Sequence, residues 1–163
     1  MLSIRHAHED DLPTIFRLYE IARQTMRDNG NPTQWGDEWP PENMVRNDIV
    51  EQLSYVVEGP NGIQGVFALV LGDDPTYALI EDGAWPNDEP YATIHRIASD
   101  GASHGTFDAA ISYALQQCPN VRIDTHADNS IMRHCIAKAG FSYCGIIYHT
   151  DGTPRLAYQL IRA

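Results

Sequence analysis

Apolar positions along the chain change period several times, and each change marks an element. Leu2, Ile4 and His6 alternate onto one face of a short strand. Asp11 then stands as a cap, and Ile15, Leu18, Tyr19, Ala22 and Met26 recur at helical spacing; Pro13 suits the first turn and Asn29-Gly30 ends the helix. The stretch 31–41 is loop-like, broken by Pro32, Gly36, Pro40 and Pro41, yet it holds Trp35 and Trp39. Pro41 opens a second helix running roughly to Leu53 through Met44, Val45, Asp48, Ile49 and Gln52.

A β-rich block follows. Residues 55–58 and 63–71 flank the turn Gly59-Pro60-Asn61-Gly62, with 77–81 as a third run and 91–99 as a fourth. Residues 105–117 read as a helix with Phe107, Ala110, Ile111, Ala114 and Leu115 inward, and 121–126 as a strand. Residues 129–139 form a helix ended by Gly140, and 141–148 with 156–161 a last hairpin. This element order predicts a mixed α/β domain whose β-α-β unit needs a parallel strand pair. No repeat, low-complexity tract or linker divides the 163 residues, so 1–163 is expected to be a single domain.

Composition narrows the partners. The chain is 43% hydrophobic and 20% charged, with 22 Asp and Glu against 11 Lys and Arg, a formal charge of -11. Nucleic acid and an anionic membrane surface both want a basic footprint, so neither is an expected partner. The longest apolar stretch, 66–71, is too short to span a bilayer. The first twelve residues carry Arg5, Glu9, Asp10 and Asp11 and no apolar signal core, and Cys118, Cys135 and Cys144 show no CxxC spacing. Together these predict a cytoplasmic protein with reduced thiols. The acid is uneven: 17 acidic against 5 basic side chains precede residue 94, whereas 94–149 balance four against four. The two halves are expected to meet different ligands, or the first simply presents a solvated acidic face.

Chemistry concentrates in the second half. Thr93-Ile94-His95-Arg96-Ile97-Ala98-Ser99, a loop, then His104-Gly105 opening a helix is strand-turn-helix. A helix N-terminus offers unpaired N–H groups and a partial positive charge to a phosphate. The continuation Arg122-Ile123-Asp124-Thr125-His126-Ala127-Asp128-Asn129 is followed by Gly140-Phe141. On these residues and the element order, the chain resembles the GCN5-related N-acetyltransferases, the GNAT superfamily. That resemblance implies a single mixed central sheet splayed between two parallel strands and flanked by about four helices. It implies acetyl-CoA as co-substrate, bound through Ile97, Ala98 and Ser99 at the end of the fourth strand. The pyrophosphate would rest on His104, Gly105 and Thr106, and Asn129 leads the following helix as in the family. Three positions depart from the family pattern: His104 replaces Gln or Arg, Phe107 replaces a glycine, and Ile136 replaces the tyrosine that protonates the departing thiolate. Tyr143, Tyr148 or water would then supply that proton.

Transfer to an ammonium needs a base, because the protonated amine has no lone pair. Asp124 resembles the fifth-strand glutamate of ribosomal-protein acetyltransferases, and His95 a fourth-strand histidine of serotonin N-acetyltransferases. Each has a plainer reading: Asp124 as an ion pair with Arg96 or Arg122, His95 as a hydrogen-bonded core histidine. His126 shares a face with Asp124 and reads as structural. The acceptor pocket is expected from Gln34, Trp35, Trp39, Tyr77, Glu81, Asp82, Trp85 and Tyr91, with Trp35, Trp39, Glu81 and Trp85 as substrate-binding residues. Aromatic walls with carboxylates suit an amine, although loop tryptophans serve equally as core plugs. No HxxxH or HExxH spacing occurs, so no metal is expected, and no GxSxG supports a hydrolase.

The expectation is a cytoplasmic N-acetyltransferase moving an acetyl group from acetyl-CoA to a primary amine, small and cationic, or to a peptide N-terminus. Direct attack is favoured because no cysteine lies on the fourth strand. The family's terminal hairpin often pairs subunits, which implies a homodimer. The alternative is a non-catalytic acyl-CoA-binding regulatory protein with a degenerate site, and a third reading is an inert interaction module.

Overall fold

A computed structural model describes residues 1–162. Seven strands, β1 (Ser3–His6), β2 (Ser54–Gly59), β3 (Gly62–Leu71), β4 (Ala92–Ser99), β5 (Asn120–Thr125), β6 (Ser142–Tyr148) and β7 (Pro154–Ile161), form one sheet in the order β1-β2-β3-β4-β5-β7-β6. Neighbours are antiparallel except β4 and β5. The four helices are α1 (Leu12–Asp28), α2 (Glu42–Val50), α3 (Thr106–Gln117) and α4 (Ser130–Lys138). This is the mixed sheet with four helices that the sequence predicts.

Alternation along the strands sorts the core into two faces. Val57, Phe67, Leu69, Ala92, Ile94 and Ile123 pack with Ala110, Ile111 and Ala114 of α3 and Ile136 of α4. Val56, Val66 and Ala98 point the other way, onto Leu12, Ile15, Leu18 and Tyr19 of α1 and Val45 of α2. The α1 stripe is the one its periodicity marks. A smaller cluster, Tyr77, Tyr91, Ile147 and Ala157, lies under the 72–91 connection.

The parallel pair is joined only through Ala92–Val121 and Thr93–Arg122. A bulge contributes to the divergence. Ala68 faces His95 and Val66 faces Ala98, so Arg96 and Ile97 together oppose Phe67. Arg96 sits at φ 51°, a conformation that costs a non-glycine residue about 1–3 kcal/mol. Two contacts hold it there. Its guanidinium is bidentate on Asp48 at 2.9 and 3.0 Å, and the Tyr19 hydroxyl donates to its carbonyl at 2.9 Å.

Three local expectations are corrected. Residues 77–81 are not a strand: the segment is a 3-10 turn (Pro75–Tyr77) and a loop, with one isolated bridge from Glu81 to Ile146. Local bonds fix that turn, because Asp74 accepts from the N–H of Thr76 at 2.8 Å and from its hydroxyl at 2.7 Å. Helix α2 ends at Val50 instead of Leu53 because Gln52 turns to φ 57° and the Leu53 N–H returns to the Asp48 carbonyl at 2.8 Å. Asp11 precedes α1 but its side chain does not cap it; it accepts from the His8 N–H and pairs with Arg5 at 2.8 Å.

Candidate active site

Where β4 and β5 part, a cavity of about 310 Å³ opens between the sheet, the α1–α2 loop and the β6–β7 turn. His95, Arg96 and Ile97 reach it from β4, and Ile123, Asp124 and Thr125 from β5. Trp35 and Trp39 wall it from the loop, with Met26 and Met44 from the two flanking helices. The structure therefore brings His95, Ile97, Asp124, Asn129, Trp35 and Trp39 together around one space. Trp35 meets Tyr19 edge-on at 5.7 Å and Trp39 meets His149 edge-on at 5.3 Å, so both indoles are packed as well as cavity-facing.

Two hydrogen-bonded pairs mark the cavity. His95 Nε2 lies 2.8 Å from Asp74 Oδ2. The Tyr77 hydroxyl donates to Asp124 Oδ2 at 2.6 Å. Burial opposes ionisation of Asp74, but the bonds from His95 and Thr76 outweigh it and hold its carboxyl at about 2. Burial, then the negative field and hydrogen bond of Asp124, pushes the Tyr77 hydroxyl well above its ordinary value, so it stays protonated as the donor. Asp124 is thus not paired with either arginine considered for it. Arg96 is taken by Asp48. Arg122 donates to Gln159 at 2.8 Å and to the Asn87 carbonyl at 3.0 Å.

Of the eight expected pocket residues, Gln34, Trp35 and Trp39 line the cavity, whereas Tyr77, Glu81, Asp82, Trp85 and Tyr91 do not. Trp85 stacks on the Arg122 guanidinium at 3.9 Å, with Tyr91 on it at the same distance, and its N–H donates to the Tyr77 carbonyl at 2.9 Å. The cation beneath this indole is internal. Glu81 accepts from the Tyr148 hydroxyl at 2.9 Å at the exposed sheet edge. Neither Tyr143 nor Tyr148 lines the cavity, and Ile136 is fully buried in the core. His126 accepts from the Asp128 N–H at 3.0 Å, a local loop contact.

The start of α3 lies past the end of β4. Gly105 takes φ 90° at its N-cap, which a Cβ would oppose. Buried Gln64 donates to the His104 carbonyl at 3.0 Å and to the Thr106 hydroxyl at 2.9 Å, tying this loop to β3. Gly65 lets the two elements touch, since a Cβ there would strike Thr106 Cγ2. Phe107 is partly buried and packs against the larger core cluster. The first turn of α3 presents the unpaired N–H groups of any α-helix start. Asn129 caps α4, accepting from the Met132 N–H at 3.0 Å and donating to Gln34 at 3.1 Å. Ala98 is buried, and the Ser99 side chain takes the Gly101 N–H at 3.4 Å.

A scan against protein-family models finds no match to this sequence, and no curated protein matches it. Solved structures do match. An acetyltransferase of the GNAT family from Streptococcus agalactiae shares 30% identity and a TM-score of 0.84, over 99% of this chain and 96% of its own. The chain belongs to the GNAT acetyltransferase family. A GNAT-family acetyltransferase from Listeria monocytogenes shares 20% identity at TM-score 0.70, over 98% of this chain and 94% of its own. A ribosomal-protein-alanine N-acetyltransferase from Brucella melitensis shares 18% at TM-score 0.62, over 98% and 99%. These two show the fold alone.

Within this GNAT chain, several cavity residues escape a linear reading. Asp74 is one of many acids in its half, and only the fold carries it to His95. His149 and Arg155 come from the last hairpin, where nothing local singles them out. Arg155 is 4% exposed, and burial pulls its guanidinium below the ordinary arginine value against the fields of Asp124 and Asp151. Among the described residues no group of three or more His, Cys, Asp or Glu side chains is arranged to hold a metal ion. No described helix is long and apolar enough to cross a membrane.

Proposed function

We propose that this GNAT-family enzyme moves an acetyl group from acetyl-CoA to a free amine held in the splay cavity. The observation that carries the reading is the convergence, where the parallel strands part, of a histidine–carboxylate pair and a second carboxylate. An amine at neutral pH arrives as an ammonium and must lose a proton before attack. His95 is assigned as the base, with Asp74 orienting its ring and stabilising the imidazolium that forms. Asp124 keeps one oxygen for Tyr77, and its Oδ1 takes no hydrogen bond among the described residues. That oxygen is assigned to the incoming ammonium.

The residues also suit acetyl-CoA. The backbone of Ile97, Ala98 and Ser99 borders the divergence, with the bulge leaving Arg96 and Ile97 without register partners on β3. A backbone N–H near Ile97 is assigned to the developing oxyanion. His104, Gly105 and Thr106 are assigned to the pyrophosphate through the unpaired N–H groups at the start of α3. Trp35 and Trp39 are assigned to the apolar body of the acceptor. A neighbour that acetylates ribosomal-protein alanine is in keeping with an amine acceptor.

The test is release of free CoA thiol from acetyl-CoA across a panel of polyamines, amino acids and peptide N-termini. Amine-dependent release supports the reading. Thermal stabilisation by acetyl-CoA without release from any amine supports instead a regulatory acyl-CoA-binding protein.

A further inference from the structure

We propose that the acceptor carries a carboxylate next to its amine, and that Arg155 binds it; the substrate class is then a free amino acid with an apolar side chain. This rests on the transferase reading above and adds the anionic half of the substrate.

Arg155 is a charge removed from water with no carboxylate in contact: Asp124 and Asp151 act on it only through space. Nη1 donates to the Thr153 hydroxyl at 2.6 Å and the Pro154 carbonyl at 3.2 Å, and Nη2 donates to the Gln34 carbonyl at 3.4 Å. All three acceptors are neutral. Among the described residues no carboxylate lies within 4.0 Å of the guanidinium, and its Nε donates to no group. Burying a cation is costly unless an anion answers it. The other cavity arginine, Arg96, has its carboxylate in Asp48. Arg155 lines the cavity with no carboxylate bonded to it.

Register sets the distance to the amine site. Asp124 on β5 faces Ala157 on β7, so Arg155, two positions along β7, projects from the same face of the sheet. Diagonal neighbours of this kind have Cα atoms about 7–8 Å apart, so the two side chains serve the same part of the cavity that both line. An ammonium on Asp124 and a carboxylate on Arg155, each at about 2.8 Å, are then within reach of one molecule that carries both groups on one carbon. The remaining wall is apolar: Met26, Trp35, Trp39 and Met44 face the pair from the helical side. A polyamine would set a second cation against Arg155. A peptide N-terminus has a neutral amide where the carboxylate belongs.

The experiment compares L-methionine, L-leucine, L-phenylalanine and L-tryptophan with their C-terminal amides, plus spermidine. Binding is measured by calorimetry on CoA-saturated protein, and turnover by thiol release from acetyl-CoA. At least one free acid is expected to exceed its amide by tenfold or more in affinity and in kcat/KM. Arg155→Gln should bring that ratio close to one, and Arg155→Lys should retain part of it. A purely structural Arg155 would leave the ratio unmoved. Amides or spermidine equal to the acids in the wild type overturn the inference, even if neither variant folds. Turnover without acid preference sinks Arg155 and leaves the transferase standing. Acid-selective binding without thiol release keeps Arg155 and sinks the transferase. No binding of any probe overturns the inference.

Discussion

The Tyr77 hydroxyl and Asp124 Oδ2, 2.6 Å apart, tie the 72–91 connection to β5 across the mouth of the splay. The donor is neutral, so Asp124 keeps its charge for the cavity. A hydrogen bond to a charged group contributes about 1.5–3 kcal/mol, and Tyr77→Phe should lose a figure of that order in urea unfolding. Its effect on turnover should fall on KM for the amine. Asp124→Asn, which removes the charge itself, should raise that KM tenfold or more. Equal KM in wild type and Asp124→Asn would dismiss the ammonium role.

The Asp48–Arg96 pair fixes the bulge that helps open the splay. Both side chains are buried or nearly so, and breaking such a pair by removing one partner costs about 3–5 kcal/mol. Asp48→Ala should show a loss of that size in chemical denaturation, together with slower turnover. A loss under about 1 kcal/mol would mean that the bulge is held by other contacts.

Asp74 makes stability depend on acid. Its folded carboxyl is held at about 2 against an ordinary 3.8, so the unfolded chain takes up the proton first. The stabilisation is complete above about pH 4 and disappears as pH falls through about 2. Thermal melts between pH 5 and pH 2 should show wild type losing more melting temperature than Asp74→Asn. Parallel curves would remove Asp74 from the acid response.

Gly65 sits where β3 meets the start of α3. A Cβ there strikes Thr106 and comes within 3.2 Å of the Ala98 carbonyl, and overpacking of this kind costs about 1–3 kcal/mol. Gly65→Ala should weaken CoA binding several-fold in a titration, since it displaces the loop of His104, Gly105 and Thr106. Unchanged affinity would separate that loop from the CoA site.

Much of the fold is legible in the sequence because strand and helix periods are local. The four helices, the need for one parallel strand pair and Gly105 before α3 follow from spacing and stop signals. The run 77–81 misleads because a loop that buries Tyr77 carries the same apolar residues as a strand. Trp85 misleads for a related reason: it does sit over a cation, but Arg122 is that cation. The acidic first half is also less available than its count suggests. Asp11 and Glu58 serve Arg5, Glu20 serves Arg23 and Arg27, Glu42 serves Arg46 and Asp48 serves Arg96. What reaches the cavity from that half is Asp74, and its meaning depends on a contact 21 residues away. Arg155 needs the β5–β7 register to be seen at all.

The most direct test of amine acetylation at the splay is the rate of amine-dependent CoA release by wild type and His95→Gln at saturating acetyl-CoA. Affinity for acetyl-CoA is measured alongside it. With His95 as the base, the variant should turn over at least about a hundredfold more slowly than wild type, the scale of general-base catalysis. Its affinity for acetyl-CoA should stay within about twofold of wild type. Equal turnover in both proteins would contradict the assignment.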